Sequence, residues 1–87
     1  MRARVTVRLK SGVLDPQGEA IRQALHTLGF ASVGDVRVAK LVELDVEVKD
    51  AKGDAAEAKV REDVTAMAEK LLANPVIEDY VVEVTRK

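Results

Sequence analysis

From Arg2 to Lys10 the chain alternates without a break, with Ala3, Val5, Val7 and Leu9 on one side and Arg2, Arg4, Thr6, Arg8 and Lys10 on the other. A period of two is the spacing of a strand that buries one face and wets the other. Such a strand needs a sheet, and the sheet needs an apolar layer against one of its faces. With 87 residues there is material for one sheet and two helices, so a single domain spanning residues 1–87 is expected. A domain this small is only modestly stable alone, and oligomerisation would help it. The cationic row on the wet face reads first as a device against edge pairing.

Helical spacing appears twice. Asp15 followed by Pro16 is a helix entry, because a carboxylate caps free amides and proline fits the first turn, where its missing N–H costs nothing. The helix is predicted over Pro16 to Leu28, with Ala20, Ile21, Ala24, Leu25 and Leu28 as the stripe that packs on the sheet and Gly29 as a left-handed exit. Val33 to Val48 holds two β-like stretches, centred on Val36 and Val38 and on Val42, Leu44, Val46 and Val48. They read as an antiparallel pair, but the joint from Ala39 to Leu41 lacks Asn-Gly or Gly-Gly, so a bent or bulged continuous ribbon fits the same residues. A polar loop follows from Asp50. Asp54 with Glu57 has the form of a capping box, and Val60, Val64, Met67, Ala68, Leu71 and Leu72 form the buried stripe of a second helix. Asn74, tolerant of a left-handed exit, and Pro75 stop it. Ile77 to Thr85 makes the last strand, with Tyr80, Val82 and Val84 on one face.

The predicted order is βαββαβ, an α+β, ferredoxin-like domain. Right-handed crossovers then give a four-stranded antiparallel sheet, order 4-1-3-2, with two helices on one face and an uncovered face for docking.

The chain carries few of the groups that catalysis uses. It has no cysteine, which removes thiolate nucleophiles, disulfides and cysteine-ligated metals. The single histidine, His26, has no neighbouring cluster and reads as structural or interfacial. The carboxylates Glu43, Asp45 and Glu47 alternate along a strand as on any solvated face, and the five glycines form no phosphate cradle. With a net charge of −1 and a pI near 5.8, no nucleic-acid or membrane partner is expected. No apolar run nears the roughly 20 residues of a membrane span, and a cytoplasmic location is the default. The residues that look specific without looking catalytic are Asp35, Arg37 and Lys40, together with Asn74, Glu78, Asp79 and Tyr80. They are the interface candidates. No catalytic, cofactor-binding or metal-ligating residue is assigned.

Four segments carry a family resemblance: VLDPQG (Val13–Gly18), ALHTLGF (Ala24–Phe30), VGDVRVAK (Val33–Lys40) and KLLANPVIEDY (Lys70–Tyr80). In this order and spacing they resemble the PurS family, the small subunit of formylglycinamidine ribonucleotide (FGAM) synthase in purine biosynthesis. Ala39 departs from a glycine frequent in that family. The resemblance implies a non-catalytic subunit bridging a glutaminase subunit, which releases ammonia, and a large synthetase subunit, which uses ATP and magnesium. It also implies a homodimer or homotetramer. The reading weighed against it is a small-metabolite-binding regulatory module of the βαββαβ type.

Overall fold

The computed structural model describes residues 1–49 and 51–85. Its order is strand β1 (Arg2–Leu9), helix α1 (Pro16–Thr27), strand β2 (Lys40–Asp45), helix α2 (Asp54–Met67) continued by a π-helical turn over Ala68–Leu72, and strand β3 (Glu78–Thr85). The strands form one antiparallel sheet in the order β2-β1-β3. Alternation places Ala3, Val5 and Val7 of β1 beneath α2, where they pack with Val60, Val64 and Ala68. Val82 and Val84 of β3 flank this core on one side and Val42 and Leu44 of β2 on the other.

Two expectations about the layers are corrected. Val33 to Val38 is extended but joins no ladder, so the sheet has three strands among the described residues and not four. The order of those three is the expected one with the 33–38 strand missing from its end. Secondly, α2 packs on β1 and β3, but α1 has no packing of that extent with any strand. Ile21 is 44% and Leu28 is 71% exposed on the stripe that should have been covered. The molecule consequently spans 54 × 27 × 15 Å, with a radius of gyration of 17.0 Å against about 12 Å for a compact chain of this length. It consists of a sheet body and a protruding arm made of α1 and the extended run after it.

The joint between the expected second and third strands is the continuous ribbon. Burial alternates in phase from Asp35 to Lys49, half-buried at even positions and exposed at odd ones, with only Lys40 out of step. No residue in this run has a positive φ, so no tight hairpin turn is made.

The helix ends also refine the reading. Gly29 takes the left-handed exit of α1 at φ 103°, and the Phe30 amide bonds the Leu25 carbonyl across it. Gly53, at φ 61°, occupies the α2 cap position in place of Asp54; Asp54 and Glu57 lie in the first turn, where negative charge suits the helix dipole. Asp50, at the start of the expected loop, lies outside the described residues. Asn74 makes no left-handed exit, since among the described residues none but glycine has a positive φ. Instead the helix widens: the Ala73 amide bonds the Ala68 carbonyl five residues back. That extra residue per turn moves the buried stripe on to Ala73 and turns Leu71 outward to 83% exposure.

Candidate functional site

The root of the arm is built by one carboxylate. Asp15 is buried and caps α1 with Oδ1, which accepts from the Gly18 amide at 2.9 Å. Its Oδ2 accepts from the Val38 amide at 2.8 Å, tying the helix start to the extended run. The two amide bonds, Gly18's the stronger, and the nearby Arg37 charge hold its carboxyl below the usual aspartate range. Gly18 lies against the Val36 carbonyl, so close that a β-carbon there would sit 2.0 Å from the oxygen. Farther along, His26 Nε2 lies 2.7 Å from the Val33 carbonyl oxygen. Helix and run are thus fastened at three levels, which makes the arm one unit.

Most of the interface candidates meet where this arm joins the sheet. Asp35, Arg37 and Asp79 line a cleft of about 240 Å³ with Arg8, Leu9 and Ser11. Arg37 donates to the Val13 carbonyl oxygen and pairs with Asp35 at 3.4 Å. Lys40 and Glu78 border an adjoining cleft of about 250 Å³ with Asp15. The Lys40 ammonium donates to the Leu72 carbonyl at 2.9 Å, fastening the π turn. The Glu78 carboxylate accepts from the Asn74 amide at 2.7 Å, and the Asn74 side chain accepts from the Val76 amide. Tyr80 stands apart from the two clefts: its ring packs on the core and its hydroxyl donates to Glu69 at 2.7 Å. That donated bond, followed by burial and the Glu69 charge, raises the phenol above its usual range.

The uncovered sheet face carries its own neutralisation. The cations of β1 stand between acidic rows: Arg4 opposite Glu43 and Glu83, Arg2 opposite Asp45, Arg8 opposite Asp79. Arg4 meets Glu43 at 3.1 Å and Arg2 meets Asp45 at 3.6 Å. Two cations of the basic stripe in β1, Arg2 and Arg4, are therefore held in cross-strand ion pairs. Apolar surface is left uncovered on this face at Leu41 and Val81, which flank Thr6, and also on α1 and around the turn after α2, where Leu71 and Val76 are 83% and 81% exposed. Sequence reasoning missed the part played by Gly18. Its signal was a glycine within a helical turn, which costs about 1 kcal/mol against alanine and so asks for a packing reason.

The geometry thus defines a small α+β domain whose buried carboxylate is engaged in holding the arm, whose clefts at the arm's root are lined largely by charged side chains, and which exposes apolar surface. The chain belongs to the PurS family of phosphoribosylformylglycinamidine (FGAM) synthase, whose family model matches residues 2–86. A relative is the FGAM synthase subunit PurS of Bacillus subtilis, 47% identical over 83 residues that cover 95% of this chain and 90% of the relative. The crystal structure of Methanocaldococcus jannaschii PurS, one of the subunits of formylglycinamide ribonucleotide amidotransferase, superposes with a TM-score of 0.83 at 42% identity, covering 99% of this chain and 96% of that one. A chain of the PurLQS structure from Thermotoga maritima superposes with a TM-score of 0.79 at 33% identity, covering 94% and 93%.

Proposed function

We propose that this chain is the small, non-catalytic subunit of FGAM synthase, bridging the glutaminase subunit and the ATP- and magnesium-dependent synthetase subunit so that ammonia passes between them. The observation that carries this reading is the match to PurS through nearly the whole chain, joined to the likeness to a chain of PurLQS. The physical support is the distribution of surface. A bridge needs more than one place to dock, and α1 and the Leu71–Val76 turn are separate exposed apolar patches of the kind that mark protein contacts. Self-association into a homodimer or homotetramer belongs to the same reading, because an arm with an uncovered stripe is stabilised by a second chain. The work is assigned to the cytoplasm; no described helix is long and apolar enough to cross a membrane. The regulatory-module alternative is not favoured by any of the relatives.

Reconstitution tests the bridge. With the glutaminase and synthetase subunits purified, omission of this chain removes most glutamine-dependent synthesis and spares synthesis from free ammonia. Undiminished glutamine-dependent turnover without it refutes the assignment.

A further inference from the structure

No described strand lies beyond β3, which forms one outer edge of the sheet. The Lys10 amide bonds the Ile77 carbonyl at 2.8 Å, so these residues face each other as a bonded pair. In an antiparallel ladder, bonded and non-bonded pairs alternate. Continued along the register, this parity turns the backbone groups of Asp79, Val81, Glu83 and Thr85 toward β1 and those of Tyr80, Val82 and Val84 outward. Arg61 reports the same parity from the other side, since its guanidinium reaches from α2 to donate to the Val82 carbonyl at 3.2 Å. That contact leaves the Val82 amide untouched, and a carbonyl oxygen accepts a second bond.

Proteins blunt such an edge with proline, lysine, a bulge or a very short strand. β3 has none of these. It runs for eight residues, EDYVVEVT, without proline or a cation, and its pairing with β1 is unbroken. On the α2 side, a groove of about 500 Å³ is lined by Asp54, Glu57, Ala58, Arg61, Glu62 and Thr65, and the Arg61 bond places this side of α2 above the outer edge. On the open face, a hollow of about 530 Å³ runs past Asp79, Val81 and Glu83, with Thr6 and Arg8 beside them. A strand laid along β3 sends alternate side chains to these two faces. The two hollows together carry five carboxylates and two guanidinium groups.

We propose that β3 is a docking edge, extended by a strand of the synthetase subunit that carries lysine or arginine. The backbone decides the form of the occupant, because a row of outward N–H and C=O groups is met in full only by another extended segment. Charge decides its composition. Two copies of this chain meeting edge to edge would bring the same acidic hollows together, and like charges across an interface oppose pairing. Of the two larger subunits, the synthetase handles ATP and a ribonucleotide, both anionic, and so is the one that needs cationic surface. The inference rests on the bridging function proposed above and names the surface used for one of its two contacts.

The test is calorimetric titration of the purified chain into the purified synthetase subunit, and separately into the glutaminase subunit. Val82→Pro removes one outward N–H and no bond to β1, while Val82→Ala trims the side chain and keeps the amide. Val82→Pro is expected to bind the synthetase about tenfold more weakly than Val82→Ala. Glu62→Lys, which alters no backbone group, is expected to weaken the same binding, with a loss that shrinks as salt is added. A parent chain that binds no synthetase overturns both this inference and the bridge. Synthetase binding that is the same for Val82→Pro as for Val82→Ala leaves the bridge standing and overturns strand addition. Variants that lose the glutaminase instead, or that change the mass of the free chain, overturn the choice of occupant. Should Val82→Pro not fold, amide exchange of the isotope-labelled parent decides: the Tyr80, Val82 and Val84 amides are expected to slow when the synthetase is bound, and unchanged rates overturn the proposal.

Discussion

Replacing Gly18 with alanine is the sharpest test of the arm's construction, because the ordinary rule and this structure give opposite signs. In an exposed helix the change stabilises by about 1 kcal/mol, since alanine is the better helix former. Here the new β-carbon would lie 2.0 Å from the Val36 oxygen, and real contacts of this kind do not come under 3.0 Å. Helix and run must part by about 1 Å, because the obstacle is backbone and cannot rotate away. The bond from the Val38 amide to Asp15, 2.8 Å long, then stretches beyond hydrogen-bonding range. Forcing an extra methyl group into a packed contact costs about 1–3 kcal/mol. With the upper end appropriate to a backbone clash, about 2 kcal/mol of net destabilisation remains. For a domain of this size that lowers Tm by roughly 8–16 °C. Thermal unfolding followed by circular dichroism, at one fixed protein concentration because association shifts Tm, gives the answer. An unchanged or raised Tm for Gly18→Ala would refute the close approach of α1 and the extended run.

Three further outcomes follow from the described contacts. Asp15 has a folded-state pKa below its ordinary 3.8, so its contribution to stability is present above that value and is lost as the pH falls through the lower folded value; denaturant titrations of Asp15→Asn against the parent should differ most above pH 3.8 and converge below it. Tyr80 is the only tyrosine and its pKa is raised above 10.0, so a spectroscopic titration should show phenolate forming later than in a free tyrosine, and Glu69→Gln should bring it earlier. The same bond stabilises the fold below the unfolded tyrosine pKa and is lost as pH rises through the folded one. Arg4→Ala removes an exposed ion pair worth roughly 0–1 kcal/mol, so it should change Tm little and its effect should shrink with added salt.

The sequence made the body legible and the arm only in part. The alternation of β1 and β3 and the Val60, Val64 and Ala68 stripe are local periodicities that survive in the fold because each meets a neighbour from the same chain. The α1 stripe is just as regular, but periodicity says only that a face must be covered and not which chain covers it. For the same reason 33–38 reads as a strand and stands here without a ladder. The missing turn residues at Ala39 to Leu41 were the available sign against the antiparallel pair that the two stretches suggested; they left a continuous ribbon as the alternative, and the structure takes that alternative. The π turn carried no comparable signal, so Leu71 was assigned inward while the structure turns it out. Among the interface candidates, charge and position brought Asp35, Arg37 and Asp79 to one cleft. The partners of Tyr80 and Lys40 depend on side-chain reach across elements, which spacing along a chain does not encode.

The central claim is that this chain acts by taking a fixed place in an assembly. Titrating it into a constant mixture of glutaminase and synthetase subunits, with glutamine-dependent FGAM synthesis as the readout, measures that directly. A structural bridge predicts activity that rises with added chain and reaches its plateau at a fixed molar ratio to the synthetase. Full activity at trace, substoichiometric amounts, or activity indifferent to the chain, would contradict it.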